Sequence, residues 1–268
     1  MAWARQARFG MDDVRLIEEL AANAWPADVI QVVDGWRLRC TPGVRARRSN
    51  SVLSIAGPGT VGLEGYLELA ERFYRARGME PRFQISPASV PVGLDAALAS
   101  RGYEIEARAD IQAAAIEDVL AGVAVRPRFD VQVERRPGQE WLALSTELVG
   151  RGDPDAMRVG VFDRIAPPAG YALVHDTGEG GGRGEPVALG LGVVERGWLG
   201  IFSMATADRA RRRGAATAVL GALARWATRL GATSCYLQVE VGNEPAHRLY
   251  EGLGFSTRYG YHYRTLRS

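Results

Sequence analysis

The sequence predicts an α/β (α+β) chain built from two tandem copies of one fold, the first of them degenerate. Three observations carry this expectation. The length of 268 residues leaves room for two domains at about 100–200 residues each. Residues 201–255 read as strand, basic glycine-containing turn, helix, strand and helix. An internal repeat links this stretch to the first half of the chain. There a helix, Gly78, a strand at 82–85, a turn with Pro87 and Pro91, and a helix at 94–98 lead to Gly102-Tyr103. The second half has a helix, Gly231, a strand ending in Leu237-Gln238-Val239, Pro245, and a helix to Leu253 that leads to Gly254-Phe255.

Taken in order, residues 11–24 are expected to be helical. Asp12-Asp13 supply an acidic first turn, Val14, Ile17, Leu20 and Ala21 one apolar face, and Trp25-Pro26 the stop. Residues 30–33 and 36–40 flank Asp34-Gly35 and read as a hairpin. The basic stretch from Arg45 to Arg48 reads as a solvated loop before a strand at 52–55, with Arg47 and Arg48 lining an acidic ligand site as the alternative. Gly57-Pro58-Gly59 makes a turn, and a helix at 63–77 ends at Gly78. Two short strands are expected within 105–113, and two more within 257–265. Residues 1–115 form the first domain, 116–127 the linker and 128–268 the second domain. The second opens with a strand at 129–133, a helix at 139–148 and a short helix from Asp153-Pro154-Asp155. A strand at 171–175 and a hairpin of 187–194 with 198–204 through Arg196-Gly197 follow. The glycine-rich run 177–184 precedes a strand and not a helix, so it reads as a hairpin loop and not a phosphate cradle.

Composition narrows the function. Apolar residues make up 47% and charged residues 24%, as in an ordinary globular protein. No apolar run approaches the roughly 20 residues of a bilayer span, and the first residues lack a signal-peptide core. A cytoplasmic location is therefore expected. Cys40 and Cys235 read as buried thiols, and His175, His247 and His262 are scattered, so no metal site is expected. All 33 basic residues are arginine. Without lysine there is no P-loop lysine and no lysine Schiff base. A net charge of +2 argues against a nucleic-acid partner.

The chemistry concentrates after residue 201. Arg209, Arg211, Arg212 and Arg213 lead into Gly214-Ala215-Ala216, after which Val219, Leu220, Leu223, Trp226, Ala227 and Leu230 recur at helical spacing. Free N–H groups and the positive end of a helix dipole meet forked guanidinium donors there, which suits a phosphate or pyrophosphate. The bland alternative is a solvated arginine loop. Asn243 is followed by Ala246, Leu249-Tyr250 and Gly254-Phe255.

With those residues in place, the chain resembles the GNAT superfamily of acyl-CoA-dependent N-acetyltransferases. Arg211-Arg212-Arg213-Gly214-Ala215-Ala216 matches an R-x-x-G-x-G/A turn. Asn243-x-x-Ala246-x-x-Leu249-Tyr250-x-x-x-Gly254-Phe255 matches the following helix. The match spans residues 187–263. It implies two tandem GNAT-like domains, each a mixed, mostly antiparallel sheet flanked by helices.

The resemblance further implies acetyl-CoA as acyl-donor cosubstrate, lying between the strand at 198–206 and the strand at 235–239. Met204, Ala205 and Thr206 are then expected to bond its pantetheine arm. Arg211, Arg212, Arg213, Gly214, Ala215, Ala216 and Thr217 are expected to hold its pyrophosphate. Asn243 matches a position that touches the cofactor arm, and equally reads as a helix N-cap. Tyr250 matches the general acid that reprotonates the leaving thiolate, a reading the motif favours over that of a core residue on the face of Ala246, Leu249 and Leu253. Where some relatives carry a basic glutamate this chain has Gln238. Glu240, expected on the opposite strand face, and Glu195 are the candidate bases, with a water chain or a group from the first domain as alternatives. The first copy lacks the chemistry, since its turn at 56–60 has no arginine and Pro58 lacks an N–H. The expected reaction is direct acetyl transfer to a primary amine on a small molecule or peptide. A catalytically silent acyl-CoA-binding protein is the alternative, and turnover separates the two.

Overall fold

The computed structural model describes residues 9–56, 61–124, 128–150, 160–178 and 184–267. By its internal contacts the chain divides into two units. One comprises Met1–Asp110 and Arg258–Ser268, the other Ile111–Thr257.

The first unit opens with helix α1 (Met11–Ala24), strands β1 (Val29–Val33), β2 (Trp36–Cys40) and β3 (Val52–Leu53), and helix α2 (Leu63–Arg75). Strand β4 (Arg82–Ile85), helix α3 (Leu94–Ser100) and the start of β5 (Glu104–Ala115) follow. In the second unit come α4 (Ile116–Gly122), β6 (Phe129–Glu134), α5 (Gln139–Leu148), α6 (Gly160–Asp163), β7 (Ala169–Asp176), β8 (Pro186–Glu195) and β9 (Trp198–Thr206). Helix α7 (Ala215–Thr228), strand β10 (Ser234–Glu240) and helix α8 (Glu244–Glu251) complete it, and β11 (Ser256–Thr265) closes the chain.

In each unit the strand array is mixed and mostly antiparallel. The first runs β1-β2-β3-β4-β11, with only β3 and β4 parallel. Trp36, Leu38, Cys40 and Phe83 face α2, whose Leu67, Phe73 and Tyr74 fill the core. The alternate face carries Arg39 and Gln84 and meets Glu18 of α1, which accepts from Gln84 and Tyr259. In the second unit the order is β5-β10-β9-β8-β7-β6, with β9 and β10 parallel and the successive pairs from β9 to β6 antiparallel. Parallel neighbours need a crossover, and α7 supplies it. Helix α7 lies close on this sheet because glycines line its seat. A Cβ on Gly170 would sit 2.9 Å from the Trp226 ring, and one on Gly192 would sit 3.0 Å from Leu223. Trp141 of α5 packs edge-on against Tyr171, next to Gly170 along β7, so α5 covers the opposite face.

The two helix–strand–helix segments end their helices alike. Met79 N–H donates to Tyr74 and Ala232 N–H to Ala227; Tyr103 N–H donates to Leu98 and Phe255 N–H to Tyr250. The glycines before these donors, Gly78, Gly231, Gly102 and Gly254, are all left-handed.

Residues 116–122 of the expected linker are helical, because the branched side chains of Ile116 and Val119 enter the core that α7 also fills. The second unit does not keep the whole C-terminus either. Residues 262–265 of β11 pair with β4 in the first unit. Residues 105–113 and 257–265 each lie in one long strand and not two short ones. The turn at 57–60, the helix expected from Asp153 and most of the glycine-rich run lie outside the described residues, including Pro58.

Candidate active site

The basic turn after β9 is built on two left-handed residues. Arg212 has φ 60° and Gly214, the N-cap of α7, has φ 92°. Glycine adopts that conformation without a Cβ penalty. The helix starts so abruptly that its first-turn N–H groups, on Ala215, Ala216 and Thr217, have no intrahelical acceptor and point out of the turn. Arg211, Arg212 and Arg213 are exposed beside them. Arg211 also pairs with Asp208 at 2.9 Å, and Arg209 donates to the Pro186 carbonyl at 2.8 Å.

Upstream, the strands part. The parallel ladder of β9 and β10 runs from Trp198 opposite Ser234 to Ile201 opposite Leu237 and stops there, while β9 continues to Thr206. On its other side β9 bulges. Leu191 faces Phe202, but Leu189 faces Ala205, so β9 carries one extra residue there, and Ser203 adopts φ 50°. The bulge turns Met204, Ala205 and Thr206 relative to the ladder. Gly190 makes room for it, since a Cβ there would lie 2.7 Å from Met204 Sδ and 2.6 Å from Val219 Cγ1. Phe202 and Tyr236 flank the parting strands with ring centroids 6.0 Å apart. Sequence reasoning found none of Gly190, Phe202, Ser203 and Tyr236. The pair Gly190 and Gly192 within one strand is the signal that marks a close approach.

Because β9 and β10 are parallel, the loops after both open at the same end of the sheet. That end gathers residues 204–217 with Asn243 at the start of α8. Asn243 is exposed and caps the helix, its Oδ1 accepting from Ala246 N–H at 3.3 Å. Tyr250 is buried in the core on the next turns of α8, 5.8 Å from Phe255 between ring centroids. Burial pushes its phenol up to about 12. Cys235 is buried, donates to the Ala114 carbonyl, and burial holds its thiol up at about 12, which disables it as a nucleophile.

The two candidate bases part company. Cys235, Leu237 and Val239 enter the core, so Tyr236, Gln238 and Glu240 share the other face. Glu240 is thus on the same side as Gln238 and not opposite it; residues two apart along a strand point the same way. It is exposed at the last position of β10. Glu195 pairs with Trp198, the first residue of β9, at the end of the strand remote from the turn. It also lies 3.6 Å from its neighbour Arg196. Among the described residues no group of three or more His, Cys, Asp or Glu is placed to hold a metal, and no helix is long and apolar enough to cross a membrane.

This arrangement has relatives. A family model described as "probable histone acetyltransferase Rv0428c C-terminal" matches residues 11–264. The chain belongs to that family. The "uncharacterized N-acetyltransferase YobR" of Bacillus subtilis (strain 168) is 34% identical over 260 residues, 96% of this chain and 100% of the relative. A GCN5-related N-acetyltransferase from Kribbella flavida has a similar fold, with a TM-score of 0.70 at 17% identity over 95% of each chain. A tandem GNAT protein from the clavulanic acid biosynthesis pathway gives 0.67 at 13% identity, over 95% of this chain and 87% of the other. The protein is an acyltransferase of the GNAT type. The family match takes in both units of this acetyltransferase, well beyond the 187–263 stretch that carries the motif.

Proposed function

We propose that this acetyltransferase moves an acetyl group from acetyl-CoA directly to a primary amine on a small molecule or peptide. The observation that carries the reading is the end of the β9–β10 ladder at Ile201 and Leu237, beside a bulge and upstream of the capped start of α7.

Backbone groups of Met204, Ala205 and Thr206 bond the pantetheine arm as an added strand would. The N–H groups of Gly214, Ala215, Ala216 and Thr217, with Arg211, Arg212 and Arg213, hold the pyrophosphate. Ala216 is small enough for close approach. Asn243 starts the helix that carries Tyr250, and Tyr250 donates the proton to the departing thiolate. Glu240, which shares its strand face with Gln238, takes the proton from the incoming ammonium. The enzyme orients a neutral amine against the thioester and polarises its carbonyl; no acyl-enzyme forms.

We also read the two units as tandem copies of one fold. Their matched helix ends and the parallel strand pair found in each support this. The second copy carries the acetyl-CoA site.

The test is calorimetry of acetyl-CoA on the wild type and on an Arg212→Ala/Arg213→Ala variant, followed by thiol release with a panel of amines. Binding that weakens in the variant, with turnover on at least one amine, is expected. Wild-type protein that ignores acetyl-CoA rejects the proposal.

A further inference from the structure

In the first unit, the sheet face that meets α1 carries charge that acetyl transfer does not use. Arg39 of β2 donates to Gln84 Oε1 of β4 at 2.9 Å, and Tyr263 of β11 stands opposite Gln84. Tyr259 and Tyr261 alternate onto the same face of β11 as Tyr263. Arg48, in the short helical turn Arg48–Asn50 ahead of β3, donates to the Tyr261 hydroxyl at 3.3 Å. The basic stretch from 45 to 48 is therefore not a solvated loop throughout. Arg45 is exposed and Arg47 pairs with Glu106 at 2.7 Å, but Arg48 is only 7% exposed.

A buried guanidinium is costly unless its charge and its N–H groups are answered. Arg39, 1% exposed, spends Nε on the Ser51 carbonyl and Nη2 on Ser51 Oγ and Gln84. Its Nη1 is buried without a hydrogen-bond partner among the described residues, and so is Arg48 Nη1. Glu18 of α1 is a carboxylate whose charge reaches both arginines. Its two oxygens, however, accept from neutral donors, the Tyr259 hydroxyl at 2.9 Å and the Gln84 amide. Burial raises its carboxyl towards the neutral form. Burial also lowers the Arg39 guanidinium to about 10, and the charge of Arg48 comes next among the causes, so the two cations repel across this interior. These three groups hold two positive charges against at most one negative. One acceptor with a single negative charge answers the excess charge and the two Nη1 groups together. The guanidiniums that are present fix its sign, and a planar carboxylate offers its two oxygens to such forked donors.

We propose that Arg39 and Arg48 form a binding site, inside the first unit, for a small monovalent carboxylate of formate or acetate size. The Tyr261 ring holds Arg48 in place, with the guanidinium carbon 5.7 Å from its centroid. Every residue of the site belongs to the first unit, and the inference does not rest on the proposed acetyl-CoA chemistry.

The test uses the full chain, dialysed into sodium MOPS so that a bulky sulfonate is the background anion at constant ionic strength. Formate and its neutral isostere formamide are titrated by calorimetry. Saturable binding of formate at millimolar concentration, and none of formamide, is expected. Arg48→Met should weaken formate binding by about tenfold or more, through loss of a charged donor. Glu18→Gln keeps an acceptor for Tyr259 and removes a competing negative charge, so it should bind formate at least as tightly as the wild type. That variant keeps the inference falsifiable where Arg48→Met does not fold, because damage to the face would weaken binding in both. Absence of formate binding overturns the inference, since the two Nη1 groups are then simply hydrated. Equal binding of formamide, undiminished binding by folded Arg48→Met, or weaker binding by Glu18→Gln overturns it as well.

Discussion

Leu237 stands opposite Ile201, and the parallel ladder of β9 and β10 ends at that pair. Everything proposed for acetyl-CoA follows from what β9 does next. It bulges by one residue, and Met204 packs against the bare backbone of Gly190.

That contact gives the first prediction. A Gly190→Val side chain collides with Met204 Sδ and Val219 Cγ1, displacing either the bulge or α7. Overpacking of this kind costs about 1–3 kcal/mol. The variant is expected to melt lower by calorimetry and to show at least a tenfold higher KM for acetyl-CoA. Unchanged KM in a destabilised variant would detach the bulge from cofactor binding.

Tyr250 gives the second. Its phenol, pushed up to about 12 by burial, stays protonated across pH 6–10 and titrates only above that range. As a proton donor it is thus available throughout, and it adds no basic limb to the kcat profile below about pH 11. Tyr250→Phe should lower kcat by about 10²-fold, within the usual span for a general acid. Acetyl-CoA affinity should barely move. Equal kcat in the two proteins leaves Tyr250 as a core residue packed on Phe255.

Much of this end of the molecule was legible from local pattern. The α7 periodicity, its stop at Gly231 and the strand that follows are properties of neighbouring residues, and the structure has them. Asn243 was readable as a cap for the same reason, and its Oδ1 does bond Ala246. What escaped depends on residues far apart in sequence. The bulge at Ser203 exists only relative to β8. Helix α4 looked like a tether because nothing in 116–122 announces the core that receives Ile116 and Val119. His175 looked isolated because Glu140 reaches it across 35 positions of sequence.

Glu106 gives a third prediction, of pH dependence in the first unit. Burial alone would raise its carboxyl, but hydrogen bonds from Arg47 and Thr265 and the charges of Arg82 and Arg47 outweigh this and hold it at about 2. A carboxyl depressed in the folded state stabilises above its unfolded value of 4.5 and loses that contribution as pH falls from there towards about 2. Part of the shift is screened, so about 2 kcal/mol is expected at neutral pH. Glu106→Gln should lower stability to denaturant at pH 7 and approach the wild type near pH 2. A constant difference across that range would assign the loss to packing.

The last prediction concerns which strand completes which sheet. Strand β4 is flanked by β3 in parallel and by β11 antiparallel, with His262 opposite Ile85 and Thr265 opposite Arg82. Its counterpart β10 is flanked by β9 in parallel and by the end of β5. Each helix–strand–helix segment is therefore closed by the strand that follows the other segment. The β11 end is further tied down: Asp95 of α3 takes both Arg264, at 2.8 Å, and His262, at 2.9 Å, and the two together with the charges they carry hold its carboxyl below the usual range. Removing Arg258–Ser268 strips β4 of its antiparallel partner and leaves its backbone groups unpaired. Buried unpaired groups cost about 1–3 kcal/mol each, so the first unit should lose its cooperative transition. Hydrogen exchange is expected to show amides of β4 and α3 exchanging freely in the truncated chain. Amides of β8 and α7 should stay protected, since their partners all lie within Ile111–Thr257. Loss of protection in β8 and α7 first would mean that the tail supports the second unit instead.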